Sequence, residues 1–146
     1  MSVLSEKLLA PETRPDVVKD CTTLIDEEVA SKSGVSGLAI KGAFKVVKGV
    51  KPGIIPDSVN ALLDDFVAEL EPFYAECQDK GASIDAYVVQ HDARIADALL
   101  SITDRRAERS RHKTLVKAYQ KLRPQGQKQV VAAMPRIGAM LKRRGL

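Results

Sequence analysis

From Val59 to Cys77 the apolar residues step forward by three or four: Val59, Leu62, Leu63, Phe66, Val67, Leu70, Phe73, Tyr74 and Cys77. An α-helix gathers positions at that spacing onto one face, because its turn of about 3.6 residues returns side chains to the same side. The run lasts about five turns, which commits this part of the chain to a long amphipathic helix. Asp57 or Ser58 suits its start, Gly81 its end, and Pro72 is expected to kink it about one turn earlier. Val59, Leu62, Phe66, Leu70 and Phe73 form the predicted centre of the core.

The same period recurs elsewhere, and no stretch alternates long enough to read as a strand. A short turn or helix is expected around Ser5 to Leu9, and Pro15 with Asp16 suits a helical first turn. Val17, Val18, Cys21, Leu24, Ile25 and Val29 follow at helical spacing until Ser33 and Gly34. A further helix runs from about Val35 to Val50 and is stopped by Lys51, Pro52 and Gly53. Ser83 opens a short helix to about Gln90, and Asp92 caps one whose inner face is Ile95, Leu99 and Ile102. Leu115, Ala118, Tyr119 and Leu122 mark the next, and Val130, Met134, Ile137 and Leu141 the last, bent at Pro135. No internal repeat is present, and no linker is long enough to divide domains. The expected fold is all-α: a single compact helical bundle of about five to seven helices, one domain over residues 1–146.

A chain of this length buries roughly two-thirds of its unfolded surface. With 45% hydrophobic but only 4% aromatic residues, its core is mainly Leu, Val, Ile and Ala, which suits helix-on-helix packing. Glu6, Lys7 and Pro11 interrupt the N-terminus too early for a secretory signal. The longest uncharged run, Ser33 to Ile40, is eight residues, far below the ~20 of a membrane-spanning helix. A cytoplasmic location is expected. Cys21 and Cys77 make no disulfide framework; both lie on apolar stripes and are expected to be reduced, buried and inert.

The charges are unevenly distributed. Residues 105–146 hold 13 Lys and Arg against one acid, Glu108, a net of +12, while residues 1–104 carry a net of −8. Within 52–79 there are seven carboxylates and no Lys or Arg. Arg105, Arg109, Lys113, Lys117 and Lys121 form an i, i+4 row if their stretch is one helix. Like-charge neighbours at that spacing cost about 0.2–0.5 kcal/mol each on an isolated helix unless an anion offsets them. The anion could be a nucleic-acid backbone. It could equally be the acidic helix of the same chain or of a neighbour, and a plain solvated face is the third possibility. Tyr119, the only aromatic of this third, has core spacing, and neither helix-turn-helix spacing, zinc-finger ligands nor a stacking platform is evident.

Lys41, Lys45, Lys48 and Lys51 line one face of the second long helix, opposite Ile40, Ala43, Phe44 and Val47. A membrane-surface helix shares that pattern, but Gly42 and Gly49 on a stripe beside the apolar face favour packing against another helix. Contact with a membrane surface is not expected.

Catalytic signals fail on spacing. Gly34-Val35-Ser36-Gly37 is one residue short of a nucleophile elbow and lacks its strand. Gly37 and Gly42 have the phosphate-loop spacing, but Ala43 and Phe44 stand where Lys and Ser/Thr are required. His91 and His112 belong to no Glu-x-x-His pair, and Asp26-Glu27-Glu28 reads as a solvated helix end before a cation site. No enzyme, cofactor or metal site is expected.

The segments SEKLLAPETRPDVV, VKPGIIPDSVNALLDDFVAELEPFYAE and KAYQKLRP resemble those of a family of short bacterial helical proteins, a domain of unknown function. The resemblance spans Ser5 to about Leu141 and implies a helical, cytoplasmic protein of bacterial origin; it carries over no site residues. The function expected from the residues is binding or assembly. Arg105, Arg109, Lys113, Lys117 and Lys121 are the candidate polyanion contacts, with non-specific nucleic acid as partner. The alternative is a structural homo-oligomer held by acidic-helix to basic-helix pairing.

Overall fold

The computed structural model describes residues 2–146, and no strand occurs among them. Eight α-helices follow in order: α1 (Val3–Leu9), α2 (Arg14–Ser31), α3 (Gly34–Lys48), α4 (Ile54–Asp79), α5 (Ile84–Gln90), α6 (Asp92–Arg109), α7 (Lys113–Leu122) and α8 (Gly126–Arg143). A 3-10 turn, Arg123–Gln125, joins α7 to α8. Six helices have ten residues or more, and α1 and α5 are seven-residue connectors among these described residues. The predicted all-α bundle is what forms.

The ends of the helices have local chemical causes. Ser2 caps α1 by accepting from the Ser5 N–H at 3.0 Å, and Pro15 occupies the first turn of α2. Expectation and structure part at α4. Its cap is Gly53, whose φ of +74° favours glycine, so the helix begins three residues before Asp57 and four before Ser58. Gly81 ends it at φ +62°, with Ala82 N–H donating to Cys77 O and Gly81 N–H to Gln78 O, the paired closure of a Schellman motif. Both α4 and α8 continue through their prolines, Pro72 and Pro135.

Two helices organise the molecule. α4 packs against α1, α2, α3, α5 and α6, whereas α8 packs most extensively on α5 and also on α6 and α2. α4 and α8 have little or no direct contact; α2 and α6 touch both and hold them apart. α3 and α7 pair with each other and close the remaining side through α2, α4 and α6.

The buried seam of α4 is Val59, Leu63, Val67, Tyr74 and Cys77, so of the predicted core centre Val59 alone lies on it. Leu62, Phe66, Leu70 and Phe73 are only half-buried. The apolar face is broad, and neighbours on one side of it cover the 59–63–67 line more fully. Ile95 and Met134, each 0% exposed, mark the best-covered part of the core. Tight packing depends on glycines that spacing did not single out. A Cβ on Gly138 of α8 would lie 2.7 Å from Val88 Cγ2 and 2.8 Å from Asp85 Cα, so α5 and α8 approach backbone to backbone. Gly42 is open to solvent with nothing within 4 Å, and Gly49 meets only its own turn, so neither serves the expected approach.

Candidate functional sites: a cationic face and an apolar cavity

The predicted basic row is split. α6 stops at Arg109, and Ser110 to His112 run without helix before Lys113 opens α7. Ser110 explains the break: its Oγ accepts from the His112 N–H at 3.2 Å, a side-chain turn that competes with the helical ladder. Arg105 and Arg109 therefore sit on α6, and Lys113, Lys117 and Lys121 on α7, all five exposed. The break relieves the one like-charge step between Arg109 and Lys113.

The acidic helix does not neutralise this row within the chain. Asp64 on α4 accepts from Arg14 at 2.9 and 3.1 Å, Asp57 pairs with Lys51, and Glu76 pairs with Lys80 and Arg94. The cations of the basic third that are engaged take other carboxylates. Arg123 forks onto Asp104 at 2.7 and 3.1 Å, Arg136 reaches Glu27 and Glu28, Lys142 reaches Asp85, and Arg144 holds Asp20 at 2.6 Å. Among the described residues, Arg105, Arg106, Arg109, Arg111, Lys113, Lys117, Lys121, Lys128 and Arg143 make no ion pair.

Arg105, Arg106 and Arg109 line a cleft of about 280 Å³ between α4 and α6, with Leu62 and Ile102 on its walls and Asp65 across it. Arg106 and Arg109 complement the negative C-terminal end of α6. Lys113 does the opposite at the start of α7, whose first turn carries no acid, so an external anion there would relieve an unfavourable charge. Arg106 escaped the i, i+4 row only because it is one residue out of step.

The second feature is an apolar cavity that reaches into the core and is partly open to solvent. A cavity of about 420 Å³ opens between α4 and α8 where α2 and α6 space them. Every helix except α5 contributes to its wall, which is mainly apolar, with Leu24, Leu63, Val67, Leu99, Ala133 and Ile137 among its aliphatic members and Phe44, Phe66 and Tyr119 its aromatic ones.

The polar groups at the wall are already matched. Glu28, buried at 9% exposure, accepts from Lys32 at 3.2 Å and from Arg136 at 3.0 Å. Tyr119 contacts Thr103 at 2.7 Å and donates to Asp104, which Arg123 also holds. Burial, then the Asp104 carboxylate, pushes the Tyr119 phenol up to about 12. No buried side-chain polar atom lacks a partner among the described residues. Cys21 also faces the cavity, and burial raises its thiol to about 11; Cys77 is buried and likewise raised by desolvation. Both thiols are free; Cys77 is buried as expected, whereas Cys21 is only half-buried because α2 leaves one side of it uncovered.

The triplet Asp26-Glu27-Glu28 is salt-bridged to Lys48, Arg136 and Lys32, and no metal-binding cluster forms among the described residues. On α3, Lys41 and Lys45 are exposed, but so are Val35 at 87% and Leu38 at 73%, so its outer face is mixed and not simply lysine-lined. Among the described residues no helix is long and apolar enough to cross a membrane.

A family model described as a family of unknown function (DUF6918) matches residues 4–144. No curated protein and no solved structure matches the chain.

Proposed function

We propose a non-catalytic binding role for this chain, which belongs to the DUF6918 family of unknown function: the α6–α7 face engages a polyanion, and duplex nucleic acid fits it best. One observation carries this reading. Thirteen cations crowd residues 105–146, and nine of them make no ion pair among the described residues although the chain has carboxylates in excess elsewhere. Arginines 105, 106 and 109 supply forked donors suited to phosphate oxygens, and Lys113, Lys117 and Lys121 supply point charges along the adjoining helix. Nothing on this face offers an aromatic platform or a projecting base-reading helix, so recognition is of the backbone and indifferent to sequence.

Fluorescence anisotropy with a labelled duplex tests it. Affinity is expected to fall by orders of magnitude between ~50 and ~200 mM salt, because each neutralised phosphate releases a counterion. Replacing Arg109, Lys113 and Lys117 with Gln should weaken binding and flatten the dependence by ~0.9 in log–log slope for each phosphate no longer neutralised. No binding at ~50 mM salt would end the proposal.

A second reading rests on α4, where Asp65, Glu69 and Asp79 also lack an ion pair among the described residues. Those carboxylates would meet the cationic face of another copy in a homo-oligomer. Light scattering on the same sample separates the two, since only this second reading gives a larger particle without nucleic acid and a smaller one after the triple replacement.

A further inference from the structure

We propose that the cavity between α4 and α8 is a binding site for the aliphatic chain of a single-chain lipid, such as a long fatty acid. Its volume of about 420 Å³ falls in the ~300–1,000 Å³ range of small-molecule sites. The wall chemistry selects the ligand. Leu24, Leu63, Val67, Leu99, Val130 and Ile137 present branched aliphatic surface from four helices, with nothing among them to hydrogen-bond a ring or a sugar. Glu28, Lys32, Thr103, Tyr119, Arg123 and Gln129 are the polar members of the lining. Lys32 and Arg123 are held by Glu28 and Asp104, so the site has no vacant charge waiting for a counterpart. An apolar chain is therefore recognised by shape and burial, and a head group adds little.

The cavity is also a property of the architecture, not of one loose side chain. α2 and α6 each pack on both α4 and α8, which hold their separation, and the α3–α7 pair closes the side with Ile40, Phe44, Tyr119 and Leu122. Large residues already stand at the wall, so the space persists because the helices are spaced, and a flexible hydrocarbon can adapt its conformation to it.

Titration of the full chain with 11-(dansylamino)undecanoic acid, followed by displacement with unlabelled ligands, provides the test. Saturated fatty acids of increasing length should displace the probe with roughly fourfold gain per methylene until the cavity is full. Palmitic acid and hexadecanol should compete within a fewfold of one another, because the chain and not the carboxylate is read. Ala133→Phe, which fills the space from α8, should weaken the probe at least tenfold while the protein still unfolds cooperatively. Val130→Phe is the second filling variant, and the chain-length series on the wild type decides alone if neither variant folds. Absence of displaceable probe, affinity independent of chain length, or unchanged binding in a folded filled variant would each overturn the proposal. A carboxylate that outcompetes the alcohol by orders of magnitude would overturn the claim that the head group is not read.

Discussion

Glu76 shows how much one surface carboxylate can be tied to its neighbours. It pairs with Lys80 at 2.9 Å and accepts from the Tyr87 phenol at 2.8 Å, while Arg94 stands 3.9 Å away and stacks over Phe73. The Lys80 contact, then the Tyr87 hydrogen bond, hold its carboxyl down to about 2 from an ordinary 4.5. Burial first, and Glu76 second, raise the Tyr87 phenol to about 12. A folded-state value below the unfolded one stabilises the protein above the unfolded value and loses that contribution as pH falls. Glu76→Gln should therefore lower stability near neutral pH, and its gap to wild type should close between about 4.5 and about 2. Urea unfolding at several pH values measures this; a gap independent of pH would mean the Tyr87 and Lys80 contacts are not made by the charged carboxylate.

At the scale of the helices, the α5–α8 contact has the narrowest tolerance. Adding a methyl at Gly138 brings it within 2.8 Å of the α5 backbone at Asp85, which cannot swing aside as a side chain would. Gly138→Ala should cost about 1–3 kcal/mol from overpacking, outweighing the ~1 kcal/mol that Ala gains over Gly in a helix. Gly42 is the control. It is exposed in mid-helix with nothing within 4 Å, so Gly42→Ala should stabilise by up to ~1 kcal/mol. Denaturant midpoints should shift in opposite directions, and a neutral Gly138→Ala would show that α5 can slide away from α8.

Over the whole molecule the charge is a dipole in sequence that the fold only partly cancels. Arg14, Lys80 and Arg94 serve α4, Arg123, Arg136, Lys142 and Arg144 tie the end of the chain to α2, α5 and α6, and the α6–α7 face keeps its surplus. Exposed cations repel across a Debye length that shrinks from ~30 Å at 0.01 M salt to ~3 Å at 1 M. The isolated protein carrying Arg109→Gln, Lys113→Gln and Lys117→Gln should thus melt higher than wild type at low salt and at the same temperature in concentrated salt. A lower midpoint at low salt would mean these cations pair with carboxylates of another copy.

Helix content, the approximate helix limits and the imbalance of charge are local quantities, and the order of residues alone determined them. The 3.6-residue period of Val59 to Cys77, the Gly81 stop and the thirteen cations after Asp104 need no distant partner to be read. Three features depended on which helix lies beside which. The inner line of α4 turned to Val59, Leu63 and Val67 because its neighbours cover that side. The pairing of Arg14 with Asp64 joins residues fifty positions apart. The cavity is the extreme case: its wall is drawn from seven helices, and it exists because α2 and α6 set a distance between α4 and α8. Spacing along a chain records which residues face inward, but the room left between inward faces is a property of their packing in three dimensions.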